Sequence, residues 1–276
     1  MSNSPLISYT KISPNRTSPR NHKIDTITIH CVVGQVSVES LGNIFAPASR
    51  RASSNYGIGY DGRIAMYVEE KDRSWCSGGK DKNGKEIKVN GISGGDNDHR
   101  AITIEVASDT THPYAVTDKA FSALIDLVTD ICKRNDIKQL LWEGDKNLVG
   151  NINRQNMTVH RWFANKSCPG DYLYNLHGEI AKRVNTRLGT ANANTPTTQT
   201  LYRVQVGAFS NINNAKNFEN QVKSKGFTTF LTKINNTYKV QVGAFSKKTN
   251  AEAMAKKLKE AGFDCYITTK SGTAVM

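Results

Sequence analysis

The chain lacks any apolar run of the length a membrane-spanning helix needs, about 18–20 residues. A secretory signal is missing as well: residues 1–20 are polar, contain Pro5, Pro14 and Pro19, and have no apolar core. Cysteine is scarce. Cys31, Cys76, Cys132, Cys168 and Cys265 lie at long spacings, odd in number and without a CxxC pair. That excludes a disulfide framework and points to synthesis in a reducing compartment. The expectation is a protein made in the cytoplasm, which reaches any external target by a separate release step. Acidic residues are in deficit, 24 against 37 Lys and Arg, for a net charge of +13. Polyanions are the natural partners of such a surface. Nucleic acid is not expected among them, because neither an RNP-type aromatic strand nor a basic helix occurs.

What is present divides the chain. Its 276 residues suit two modest domains. From Leu201 onward there are 12 Lys and Arg against 4 Asp and Glu, so the C-terminal part carries most of the excess charge. The same part holds an internal repeat. Residues 202–210 read YRVQVGAFS and 238–246 read YKVQVGAFS, identical at 8 of 9 positions with an offset of 36 residues. One supersecondary unit is used twice. Each unit starts with an alternating strand, with Val204 and Val206 on one face and Gln205 on the other. A helical stretch follows, closed by Gly226 or Gly262, and then a second strand. The expected architecture is a small α+β domain of doubled βαβ units over 201–276. It has four strands, both helices on one face, and Gln205 and Gln241 on the open face. Residues 189–200, GTANANTPTTQT, read as a linker.

Over 1–188 strands alternate with helices. Residues 24–33, 54–66 and 100–107 read as strands, the middle segment broken by a turn at Asp61-Gly62. Residues 117–133 and 172–188 read as helices. This is an α/β domain with a mixed central sheet flanked by helices. Alternation puts Thr28 and His30 on one face of the first strand, and Ile27, Ile29 and Cys31 on the other. His30 and Cys31 therefore do not share a metal readily. Further on, 159–170 read VHRWFANKSCPG, with His160 and Cys168 eight residues apart on a loop. Imidazole plus thiolate suits zinc. The alternatives are a structural histidine at position 30, and a buried structural cysteine with a surface histidine at 168 and 160.

Four segments in order, TIHC, NYGIGYDGRI, ITIEV and H-x7-C-P-G, resemble the type 2 N-acetylmuramoyl-L-alanine amidases, a family related to the peptidoglycan recognition proteins. The resemblance spans about 24–188 and implies one zinc ion, held by residues matching His30, His160 and Cys168. Amide hydrolysis also needs a base and a charge to meet the oxyanion. Glu105, on an otherwise apolar strand, is the candidate general base, with a structural ion pair as the alternative. Lys166 is the candidate oxyanion cation, or else a solvated loop lysine. Tyr56 falls where relatives keep an aromatic residue near the substrate groove, and a core tyrosine is equally consistent. One departure stands out: Trp75-Cys76 replaces the Trp-His pair common in relatives. Residues 77–97, rich in Gly and Lys, read as an exposed loop.

The C-terminal repeat is similar to SPOR domains, which implies binding to peptidoglycan glycan strands stripped of peptide. Gln205, Phe209, Gln241 and Phe245 are the candidate contacts, with a core role open for the two phenylalanines. The resemblances together imply zinc-dependent cleavage between N-acetylmuramic acid and L-alanine in bacterial peptidoglycan. The absent signal suggests a phage or prophage endolysin acting at the wall after release. A mother-cell autolysin and a non-catalytic recognition protein are the alternatives.

Overall fold

The computed structural model describes residues 2–190, 201–245, 248–269 and 273–274. The expected linker falls mainly on 191–200, outside the described residues. The chain divides into two compact units, Met1–Asn194 and Thr195–Met276. Among the described residues no helix is long and apolar enough to cross a membrane.

The first unit is built on a six-stranded sheet in the order Tyr9–Thr10, Ile64–Met66, Tyr56–Ile58, Ala101–Ser108, Thr26–Val33, Met157–Thr158. Only the tight hairpin between Tyr56–Ile58 and Ile64–Met66 is antiparallel; the other neighbours are parallel. Period-2 alternation splits the two central strands into an apolar and a polar face. Ile27, Ile29, Ile102, Ile104 and Val106 are fully buried against Leu124, Val128 and Ile131 of helix Asp118–Arg134 and Leu173, Ile180 and Val184 of helix Gly170–Leu188. Each such side chain contributes about 1.5–3 kcal/mol of hydrophobic stabilisation. Thr117 starts the first of these helices by accepting from Ala120 N at 3.1 Å.

The opposite face carries Thr28, His30, Thr103 and Glu105. It is covered partly by a short helix, Gly94–Arg100, which begins within residues 77–97, the segment read as an exposed loop. Ser93 and Asp96 form a capping box there, and Ser77, Gly94 and Asn97 are buried. Helix Val38–Phe45 is a further element that the sequence pattern does not announce. Its buried Val38, Leu41 and Phe45 pack on Ala65 and Tyr67 beside the hairpin.

The second unit is an all-antiparallel sheet in the order Tyr266–Thr268, Tyr202–Phe209, Thr237–Phe245, Phe230–Ile234, Thr273–Ala274. The strands of the two repeats interleave, and among the described residues no repeat strand pairs with another of its own copy. Gln205 and Gln241, equivalent in the two copies, face each other across the central pair. Helices Ile212–Ser224 and Lys248–Glu260 share one core with Val204, Val206, Val240 and Val242.

Two expectations change here. Gln205 and Gln241 do lie on the face away from the helices, but they are buried at 0% and 7% exposure rather than open to solvent. The hydroxyl of Tyr266 donates to Gln205 Oε1, and Gln241 Nε2 donates to Gly243 O at 3.2 Å. Phe209 and Phe245 join the helix-side core, with the Phe209 ring 5.3 Å from that of Phe218. The motif glycine makes this possible. A Cβ at Gly207 would lie 2.7 Å from the Phe209 ring, and one at Gly243 would lie 2.8 Å from the Phe245 ring. Gly243 also holds φ +85°. Gly243→Ala should therefore destabilise this unit by about 2 kcal/mol. Calorimetry would read a lowered melting transition; an unchanged one would refute the packing account.

Candidate metal centre

The site begins with register. His30 and Glu105 are direct partners in the parallel pair, so both side chains leave the same face of the sheet. The edge strand Met157–Thr158 pairs with Ile27 and Thr28, which carries His160, two residues on, to the level of His30. Asn97 locks this edge: it donates to Thr28 Oγ1 and accepts from Thr158 Oγ1, both at 3.0 Å. The two imidazole centroids are 5.0 Å apart.

The loop after His160 returns Cys168 to the same point. Arg161 N donates to Cys168 O at 3.0 Å, and the Arg161 guanidinium pairs with Asp171 at 3.0 Å. Gly170 has φ +78°, and a Cβ there would lie 2.9 Å from Pro113 O, so the Cys-Pro-Gly turn needs its glycine. Cys168 Sγ then sits 3.4 Å from His30 Nδ1. Donor atoms of His30, His160 and Cys168 all lie within 4.8 Å of one another.

Hydrogen bonds at the far side of each ring turn the remaining nitrogen inward. His30 Nε2 lies 3.4 Å from Ser77 Oγ, leaving Nδ1 toward the thiol. His160 bonds the Gly78 backbone, and its buried Nε2 has no partner among the described residues. Burial holds His30 well below the ordinary histidine range and brings His160 to about 4, with the Lys166 charge acting in the same direction on both. Both rings are therefore neutral and able to ligate at neutral pH. Burial also raises the Cys168 thiol well above its ordinary value. The Cys31 side chain and the Glu105 charge act in the same direction, and the Cys31 backbone N–H, the smallest of these influences, favours the thiolate. Two neutral imidazoles, a thiol and an unpartnered buried nitrogen fit zinc. Cys31 itself belongs to the apolar core and to neither set of converging donors.

Glu105 stands beside this set, with Oε1 4.0 Å from His30 Nδ1 and Oε2 buried without a partner. Burial pushes it up to about 7, against the pull of the Cys76 thiol and the Lys166 and Arg50 charges. Its side chain keeps 16% exposure, enough for a small molecule to reach it. Lys166 is exposed on the loop before Cys168, and its charge reaches His30, His160 and Glu105.

Tyr56 is elsewhere. It pairs with Ile104, so it leaves the face opposite Glu105. It is fully buried and donates to Glu70 Oε1 at 2.6 Å. Its place is in the core, not in a substrate groove. Three residues not singled out as site residues matter instead. Asp98 Oδ2 accepts from Cys76 N and Ser77 N, each at 2.8 Å, and so fixes the segment that covers the site. Cys76 Sγ lies 3.8 Å from Glu105 Oε1. The Ser93-x-x-Asp96 pattern was the legible sign that a helix begins before Asp98.

Comparisons with known proteins assign a family to each unit. The family model described as N-acetylmuramoyl-L-alanine amidase matches residues 20–171, and that of the SPOR domain matches 198–269. The solved peptidoglycan binding domain of the B. subtilis cell wall lytic enzyme CwlC is 38% identical, over 28% of this chain and 99% of that one, with a TM-score of 0.26. An AmpD derivative is 20% identical over 61% and 90%, with a TM-score of 0.43. The endolysin amidase LysCS from Clostridium intestinale URNW is 17% identical over 67% and 99%, with a TM-score of 0.41. No curated protein matches the chain. Through residues 20–171, more than half of its length, the chain belongs to the N-acetylmuramoyl-L-alanine amidase family, and it carries a SPOR domain after them.

Proposed function

We propose that this chain is a zinc-dependent amidase that cuts the bond between the lactyl group of N-acetylmuramic acid and L-alanine. The observation that carries the reading is the convergence of His30, His160 and Cys168 beside a buried carboxylate, in a chain of this family. A zinc ion held by those three residues would polarise the scissile carbonyl and bring the pKa of a water to about 7. Glu105 takes a proton from the attacking water and returns it to the leaving amine. Its elevated proton affinity suits both halves of that exchange. Lys166, at the mouth, meets the negative charge that develops on the carbonyl oxygen. Ser77 and the Gly78 backbone hold the two imidazoles in their ligating orientation.

Mass spectrometry of digested wall tests the reading. Free L-alanine amino termini on released stem peptides are expected. Cleavage of the glycan or within the peptide would overturn it.

The same proposal assigns the C-terminal unit to glycan strands free of peptide. The helix-free sheet face supports this. Tyr266 is 47% exposed there, Lys239 Nζ lies 3.3 Å from its hydroxyl, and the buried Gln205 Nε2 has no partner among the described residues. An aromatic plane, a cation and an amide suit a sugar with hydroxyl and N-acetyl groups. Tyr266→Ala should weaken sedimentation with denuded glycan about tenfold, since one stacked ring is worth about 1–2 kcal/mol. Unchanged sedimentation would remove Tyr266 from the contact.

For the cellular role we propose a phage or prophage endolysin. Expression together with a pore-forming membrane protein should lyse the host, and expression alone should not. Lysis confined to sporulating mother cells would favour the autolysin instead.

A further inference from the structure

The metal centre holds more donors than one ion needs. Beside the His30–His160–Cys168 set, donor atoms of His30, Cys76 and Glu105 also lie within 4.8 Å of one another. Cys76 Sγ is 3.8 Å and His30 Nδ1 is 4.0 Å from the same Glu105 oxygen. Bonds of about 2.3 Å to sulfur and about 2.0–2.1 Å to nitrogen or oxygen give tetrahedral edges of about 3.4–3.6 Å. Both separations close on one ion with movements of roughly half an ångström. The donors have little else to hold. Among the described residues Glu105 Oε2 is buried without a partner, and the Cys76 thiol meets only Glu105 and the hydroxyls of Ser54 and Thr103. The backbone beneath Cys76 is fixed by Asp98.

We propose that the pocket contains a second, overlapping metal position, formed by His30, Cys76 and Glu105, that takes a thiolate-accepting divalent cation. An imidazole, a thiolate and a carboxylate select zinc-like ions over magnesium or calcium, which take oxygen donors. On ligation the Cys76 proton leaves to solvent. The inference rests on the zinc reading of the first set, with which it shares His30; the two positions are therefore alternatives. An ion in the second position occupies the Glu105 carboxylate, so the general base is lost and the bound form is non-productive. Cys76 adds the thiolate that makes this competing position strong.

Cobalt(II) added to the full chain reads the difference without activity, because a thiolate ligand gives cobalt a near-ultraviolet charge-transfer band. Cys168→Ser is expected to bind cobalt and still show that band. Adding Cys76→Ser should abolish the band and weaken binding about tenfold or more. Adding Glu105→Gln to Cys168→Ser should weaken binding and keep the band. Cys168→Ala serves if the serine variant does not fold. A Cys168→Ser chain without the band overturns the proposal. So does a band that persists without Cys76, which would put Cys31 on the ion. Zinc content separates this from the first reading. If Cys76→Ser retains one tightly held zinc while Cys168→Ser shows no band, only the second position fails. If neither the unaltered chain nor Cys76→Ser retains zinc, the first set fails as well.

Discussion

A full chain carrying Glu105→Ala is expected to sediment with cell wall as the unaltered chain does and to leave that wall intact. Removal of a positioned general base lowers turnover by about 10²–10⁴-fold, or roughly 3–5 kcal/mol of transition-state stabilisation. Wall binding persists because the proposed glycan contacts belong to the other compact unit. The measurement is clearing of a wall suspension beside a pull-down. Retained clearing would remove Glu105 from the chemistry, and lost sedimentation would show a wider defect.

Glu105→Gln adds a signature that a structural ion pair would not give. In metal-free protein burial lifts this carboxyl from 4.5 to about 7. The folded state then binds more protons than the unfolded one across that window, so stability falls as pH rises through it. The loss amounts to about 3 kcal/mol, at about 1.4 kcal/mol for each pH unit that separates the two values. Glutamine cannot ionise and escapes the loss. The variant should melt higher than the unaltered metal-free chain at about pH 8 and equally near pH 4. The residue proposed as the general base thus weakens the metal-free fold above neutral pH.

The second large effect is expected from Cys168→Ser. Serine keeps the volume and the Arg161 N to Cys168 O turn contact, which is made by backbone alone. It removes the thiolate from a set of three, and turnover should fall by about 100-fold or more, since outer partners of such ligands alone are worth 10–100-fold. Linkage supplies an independent readout. Zinc at about 1,000 times its dissociation constant stabilises a folded protein by about 4 kcal/mol. In a Cys76→Ser background, which lacks the second proposed position, the zinc-induced rise in melting temperature should be large and should become much smaller on adding Cys168→Ser. An equal rise in both would remove Cys168 from the metal. Chelation should likewise silence the unaltered enzyme, and zinc should restore it.

Parts of this site were legible in residue order. Alternation along TITIHCVV and AITIEVAS was enough to separate His30 and Glu105 from the apolar faces of their strands. Their pairing was not legible. The register between parallel strands some 75 residues apart is set by helices packed on the far side, not by any local signal. The same alternation, applied to YGI, would have put Tyr56 on the face of Ile58 and away from the site. The helix Gly94–Arg100 was hidden by its opening glycines, whose low helical propensity is outweighed by the Ser93–Asp96 cap and burial. In the C-terminal unit the repeat announced its strands and helices. The inward turn of Phe209 and Phe245 depended on ring space over Gly207 and Gly243, which only coordinates reveal.

The interleaving of the two repeats bears on how such a unit could arise. Among the described residues the two strands of one copy do not pair with each other, and the ladders of Tyr202–Phe209, Phe230–Ile234, Thr237–Phe245 and Tyr266–Thr268 join strands from different copies. Gln205 and Gln241 lie across the pseudo-dyad that relates the two copies, the arrangement that a symmetric pair of half-length chains would have. Fusing the halves turns a concentration-dependent association into a unimolecular fold. If the unit holds glycan as proposed, that grip does not depend on a second molecule.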